Sequence, residues 1–249
     1  MDGVLADMDA ALARLAREEF GKSAPAAPAQ APPSSTPPPN ATGPNAPDAF
    51  QPATDAPRTP APADELPSAV IAQLSPRQQT RLWQRVHETG NFWEALGECE
   101  PGTVRRLQKL AHELRWDVLF VTQRPATAGR TPQLQSQHWL RRHGFEYPAV
   151  YTTQGSRGRI AAALTLDCHI DDRLENCVDV ATDSTAWPIL VWRDEASFAR
   201  IGTGSAKLGI ATVRTVREAI DNIIEAGRGL AGEQDQATLL RRLKRAFGR

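Results

Sequence analysis

The chain has 249 residues, no formal net charge and a near-neutral pI. That length suits one α/β domain with an insertion or two small domains, and the charge gives no global pull toward nucleic acid or membrane. Three scattered cysteines (Cys99, Cys168, Cys177) exclude a disulfide framework or a Cys-x-x-Cys metal site and read as reduced thiols in a cytoplasmic protein; no run reaches the roughly 18 apolar residues of a membrane helix, and the acidic start does not fit a signal peptide.

Met1-Asp2-Gly3-Val4-Leu5-Ala6-Asp7 reads as a strand end handing over to a helix. From 5 to 20 the apolar positions Leu5, Met8, Leu12, Leu15 and Ala16 recur at helical spacing, with Arg14, Arg17, Glu18 and Glu19 opposite and Gly21 as a stop. Composition then changes: 14 of the 20 prolines fall between Pro25 and Pro67, among alanine, serine and threonine, with Phe50 the lone aromatic. Such a stretch buries too little apolar surface to offset its ordering entropy and is expected to be a disordered linker with polyproline II character. Order is expected again from residue 68. Ser75-Pro76 has the signature of a helix start, serine as N-cap and proline in the first turn. Gly90-Asn91-Phe92-Trp93 follows, then a helix over 101–115 with Val104, Leu107, Leu110, Ala111 and Leu114 on one face.

The second half alternates strands with helices. Strands are expected at 117–121, 149–151, 167–170, 189–192 and 211–213, and helices at 131–143, 157–164, 174–180 and 216–226. Short continuous apolar runs between helices predict buried parallel strands with helices on both faces, a Rossmann-like α/β fold. Gly202-Thr203-Gly204-Ser205-Ala206-Lys207 lacks P-loop spacing and is expected to be a surface loop. The tail carries Leu239, Leu240, Leu243 and Phe247 against Arg241, Arg242, Lys244, Arg245 and Arg249, a basic amphipathic helix. Packing of its stripe on its own domain is favoured over nucleic-acid contact. The expected units are thus 1–22, the linker 23–67, a helical segment 68–100, the α/β core 101–230 and the tail 231–249.

In an open parallel sheet the ligand site lies beyond the carboxyl ends of the strands. Asp2, Thr122 and Asp171-Asp172 all fall at such ends, and Gly155-Ser156-Arg157-Gly158 opens a helix where backbone N–H groups could meet an anion. In order and spacing these clusters resemble the four motifs of the haloacid dehalogenase superfamily. The start is similar to its 5'(3')-deoxyribonucleotidase type, and Asp171-Asp172-Arg173 with Asn176 is the most specific signal. The resemblance covers roughly 1–20 and 92–192. It implies a Rossmann-like core with a small helical cap at 68–100 and Mg2+-dependent hydrolysis of a phosphate monoester, with a nucleotide 5'-phosphate as a candidate substrate. Asp2 matches the general acid/base, its backbone carbonyl a metal ligand. Thr122 matches the hydroxyl that orients the phosphoryl group, and Arg157 the cation usually supplied by lysine, with Arg159 as a fallback. Asp171 matches the metal ligand and Asp172 the outer carboxylate. Gln123, Phe92 and Trp93 fall where the family contacts substrate; for the two rings a plain core role is the competing expectation.

The family's nucleophilic aspartate would sit just before Met1, and most of the strand carrying it upstream. The expectation from sequence is therefore a natural chain that starts earlier. The rival is a catalytically inactive phosphate- or nucleotide-binding, or protein-interaction, module.

Overall fold

The computed structural model describes residues 1–21 and 69–231, so the expected proline-rich linker and basic tail helix lie outside the described residues. Residues 1–6 close into a turn: Gly3 N–H donates to the Ala6 carbonyl at 2.9 Å, and Leu5 N–H to the Met1 carbonyl at 2.9 Å. Ala6–Asp7 (β1) then pairs antiparallel with Gly97–Glu98 (β2). The expected first helix begins later than its apolar pattern suggested, as α1 (Met8–Phe20), because Asp7 serves as its N-cap and accepts from Ala10 N–H at 2.9 Å. A short α2 (Ala69–Ala72) and α3 (Pro76–Glu88) pack on α1. The start of α3 is as the sequence predicts, with the Gln78 side chain accepting from Ser75 N–H and Oγ. Val70, Leu74, Leu82 and Val86 join α1 in the main hydrophobic core, together with Phe92, Trp93 and Trp139.

From residue 103 the order is α4 (Thr103–Leu114), β3 (Leu119–Thr122), α5 (Pro132–Arg142), β4 (Ala149–Thr152), α6 (Arg157–Ala163), β5 (Cys168–Asp171), α7 (Leu174–Asp183), β6 (Trp187–Val191), α8 (Glu195–Ala206), β7 (Ala211–Val213) and α9 (Val216–Ala231). All pairings among β3 to β7 are parallel. β6 shows why helices cover both faces. Side chains alternate along a strand, so Ile189 and Val191 enter the core that holds α1 and α9, while Leu190 enters a second cluster with Cys177 of α7 and Ile201 of α8. The chain is an α/β protein with parallel sheets, and among the described residues no helix is long and apolar enough to cross a membrane.

The break in the parallel sheet that the missing first strand predicts is present: β3–β4 and β5–β6–β7 are separate sheets, and among the described residues no strand lies between them. Residues 1–3 make only an isolated bridge, Asp2 to Ala6. The burial of β5 reflects this: Cys168, His169 and Ile170 are half-buried, whereas every residue of β6 is buried. One expectation is corrected, at 202–207. Gly202 to Ala206 lie inside α8, and Lys207 is its C-cap. Two glycines weaken a helix by about 1 kcal/mol each relative to alanine. Here the Asp194 N-cap, which accepts from Ser197 N–H at 3.1 Å, and the burial of Ile201 and Ser205 outweigh that cost.

Candidate functional site

The segment bearing Asp2 has no regular secondary structure to fix it, so side chains hold it. Arg193, just past β6, donates to the Gly3 carbonyl and, at 3.2 Å, to the Val4 carbonyl. The same guanidinium reaches Glu100 Oε1 at 2.8 Å, and Glu100 also caps α9 by accepting from Val216 and Arg217 N–H at 2.8 and 3.2 Å. One half-buried carboxylate thus ties the Asp2 turn to the start of α9. Thr122 ends β3, and its Oγ1 donates to Asp2 Oδ2 at 3.0 Å. Arg124, two residues on, grips the same carboxylate with a fork: Nε lies 3.0 and 2.9 Å from Oδ1 and Oδ2, and Nη2 also donates to Oδ1. Burial alone would raise the Asp2 carboxyl pKa; the Arg124 charge and hydrogen bonds, with the Thr122 hydroxyl, outweigh it and hold the group below the usual carboxylate range.

Asp171 and Asp172 follow the end of β5 from the other side of the seam. Asp171 is 7 % exposed. Its Oδ1 accepts from Arg173 N–H at 2.9 Å and Asn176 Nδ2 at 3.0 Å, and His169 Nε2 lies 3.2 Å from Oδ2. Burial works against its charge, but the His169 contact and the Arg173 N–H lower its pKa to about 2. Asp172 behaves oppositely. Burial first, then the charges of Asp171 and Asp2, push it up to about 7. Its carboxylate lies against Gly3, where an added Cβ would come within 1.8 Å of Oδ2. Gly3 also has φ +71°, so the close approach and the backbone angle both call for glycine. Three carboxylates from segments remote in sequence therefore meet where the two sheets face each other. Asp2 has its own arginine and Asp171 its own donors, which leaves Asp172 as the charge least compensated.

Arg157 is buried at the start of α6, and its Nη1 donates to the Gly155 carbonyl at 3.1 Å. Burial lowers its pKa, Asp171 opposes that and Arg173 adds to it, so Arg157 lies within electrostatic reach of the Asp171 pair. Arg159, the fallback cation, is exposed. The expectation that the α6 N-terminus meets an external anion is corrected, because the anion there is the chain's own Asp179. Its Oδ2 accepts from Ser156 Oγ at 2.8 Å and from Gly158 N–H at 2.9 Å. A Cβ at Gly158 would also strike the Asp179 carbonyl at 2.2 Å, so α6 and α7 are locked together at that point.

Phe92 and Trp93, expected to contact substrate, are core side chains, 3 % and 0 % exposed. Their rings pack edge to face at 5.0 Å, and Trp93 Nε1 donates to the Pro125 carbonyl at 3.0 Å. With its hydrogen bond satisfied and its surface covered, Trp93 has no face to offer a base. Gln123 is half-buried at the end of β3. The residues brought together are thus Asp2, Thr122, Asp171 and Asp172, with Arg157 alongside. Sequence reasoning gave no role to Arg124, Arg193 or His169. For Arg124 the only local signal was an arginine directly after a strand end.

Among the described residues no group of three or more His, Cys, Asp or Glu side chains is arranged to hold a metal ion. Burial pushes the Cys99 and Cys168 thiols up to about 12 and that of Cys177 well above the usual thiol range, so none is a ready thiolate ligand. No protein-family model, curated protein or solved structure matches the chain.

Proposed function

We propose that this protein is a Mg2+-dependent phosphate monoester hydrolase of the haloacid dehalogenase type, acting on a small phosphorylated compound such as a 5'-nucleotide. One observation carries the reading. Asp2, Thr122 and Asp171-Asp172 are separated by more than a hundred residues and by nearly fifty, yet their side chains converge at the carboxyl ends of two parallel strands. Convergence at that end of a parallel sheet is where α/β proteins bind ligands.

In this reading the Thr122 hydroxyl orients the phosphoryl group, and Asp2, held as a carboxylate, takes a proton from the attacking water and passes it to the leaving oxygen as the bond from that oxygen to phosphorus breaks. Arg157 offsets phosphate charge; its planar fork replaces the point charge of a lysine. Asp171, Asp172 and the Asp2 carbonyl are hard oxygens of the kind Mg2+ takes, and Asp172 is the carboxylate whose charge a cation would stabilise, although among the described residues these groups are not gathered as a metal-holding cluster. Magnesium, when bound, would neutralise the phosphoryl oxygens. Hydrolysis of p-nitrophenyl phosphate and of nucleotide 5'-monophosphates should need Mg2+, stop with EDTA and be abolished by Asp2→Asn. A folded, Mg2+-binding protein that turns over none of these substrates would sink the proposal.

A second reading is favoured by the fork of Arg124 on Asp2, which holds that carboxylate in its charged form. It is a phosphate- or nucleotide-binding module without turnover. It predicts Mg2+-linked binding of a nucleotide monophosphate by calorimetry and no release of inorganic phosphate.

A further inference from the structure

The most completely built feature near the site is one that the four motifs do not include. The Arg124 side chain is 0 % exposed and its Asp2 partner 8 %. Burying a guanidinium is unfavourable unless its charge is compensated and its donors find partners, and here each of its three nitrogens has one. Nε and Nη2 take both oxygens of Asp2, while Nη1 donates to Ser136 Oγ at 2.8 Å. Ser136 is itself anchored on α5, donating to the Pro132 carbonyl at 2.7 Å. The flat face of the guanidinium lies over the Trp93 ring, 5.1 Å from its centroid.

Resting on the phosphatase reading, we propose that Arg124 is a positioning residue: it fixes the rotation of the Asp2 carboxylate so that the group meets the reacting phosphate in a single orientation. The backbone cannot do this alone. Asp2 lies in a turn, outside helix and strand, and Arg193 grips only the carbonyls of its neighbours Gly3 and Val4. A carboxylate held at one oxygen by Thr122 could swing about that contact; the fork removes the freedom because it engages both oxygens in one plane. Lysine, a point charge on a flexible stem, would keep the charge and lose the plane. Trp93 and Ser136 stop Arg124 itself from turning. That gives the buried aromatic pair Phe92-Trp93 a purpose in the site without any contact with substrate.

The test is steady-state hydrolysis of p-nitrophenyl phosphate with Mg2+ by the protein and its R124K, R124A and S136A variants, each checked for folding by circular dichroism. R124K should lose on the order of a hundredfold in kcat, the scale on which a misplaced catalytic group is penalised, with KM within about threefold. S136A, which loosens the fork without removing it, should fall between R124K and wild type. Added guanidinium ion should restore part of the kcat of R124A but none of that of Asp2→Asn. If R124A does not fold, R124K and S136A carry the result. An R124K enzyme with wild-type kcat would overturn the inference, and so would one whose loss lies wholly in KM, the mark of a substrate-binding arginine. Absence of turnover in the wild type would instead overturn the phosphatase reading, and this inference with it.

Discussion

Gly3→Ala tests the close approach on which the site is built. At φ +71° an L-residue is less favourable than glycine by about 1–2 kcal/mol. The new methyl would also lie 1.8 Å from Asp172 Oδ2 and 2.6 Å from its Cγ, far inside contact distance. Relieving such an overlap in a packed region costs about 1–3 kcal/mol, so the substitution should destabilise by about 2–5 kcal/mol. Gly102 supplies the control: it is left-handed at φ 82° and ψ 0°, but an added Cβ meets nothing within 4 Å. Urea unfolding in EDTA should therefore show Gly102→Ala losing only the backbone part and Gly3→Ala losing clearly more. Combining Gly3→Ala with Asp172→Ala removes the obstacle and should recover about 1–3 kcal/mol, a favourable coupling read from a double-mutant cycle. Equal losses for the two glycine variants, or no recovery in the double variant, would refute the contact between Gly3 and Asp172.

The carboxylate pair predicts a pH dependence of stability in metal-free buffer. Asp172 moves from 3.8 to about 7 on folding, so its contribution is full below about 3.8 and is lost as pH rises through about 7. Asp172→Asn should flatten that fall in a series of urea titrations. Asp171, lowered to about 2, acts the other way: its contribution is present above 3.8 and disappears as pH falls toward 2. Native-state hydrogen exchange should find β6, paired on both sides and wholly buried, more protected than β3 or β5, each paired on one side; equal protection would mean that the seam is closed in solution. Asp179→Ala strips the α6 N-terminus of two hydrogen bonds and should cost about 1–2 kcal/mol by thermal or urea unfolding. Arg193→Met leaves the Gly3 and Val4 carbonyls and one Glu100 oxygen without their charged donor, and should cost about 1.5–3 kcal/mol by the same measurement.

Much of the fold was legible because period and punctuation are local properties. β7 lies where the apolar run put it, and β3 to β6 differ from their expected bounds by a residue or two at an end. The strand ends mattered more than the strands: Thr122 and Asp171 could be flagged because a polar residue closing an apolar run has few places to go but the rim of a sheet. What sequence could not give was the partner of each group. Arg124 and Asp2 are 122 positions apart, and Arg193 and Gly3 190, so neither pairing leaves a local trace. For Phe92 and Trp93 substrate contact and a core role were both open, since composition cannot distinguish a ring that stacks on a ligand from one that lies under an arginine, and the core role is the one they fill. At 202–206 glycine content suggested a loop, and a distant packing surface overrode it. The α6 start was read correctly as an anion site, but the anion came from within the chain.

These misses share a physical cause that bears on how the site works. The turn holding Asp2 closes on its own backbone hydrogen bonds, but it is tied to the two sheets by side chains arriving from elsewhere: Thr122 and Arg124 from the end of β3, Arg193 from the end of β6, and the close fit of Gly3 to Asp172 after β5. Those same contacts bridge two sheets that share no backbone hydrogen bonds with each other. The spacing of Asp2 from Asp171 and Asp172 is therefore set by the alignment of the two sheets, and the alignment in turn leans on the contacts of Asp2. Charge sharpens that dependence. The Arg124 fork neutralises Asp2, Asp171 is held by its own donors, and Asp172 is left facing both carboxylates. A group that draws the three carboxylates together must compensate Asp172, and the same interaction would pull β3 and β5 toward one another. Occupancy of the site and cohesion of the sheet are in this way the same electrostatic problem, approached from two sides.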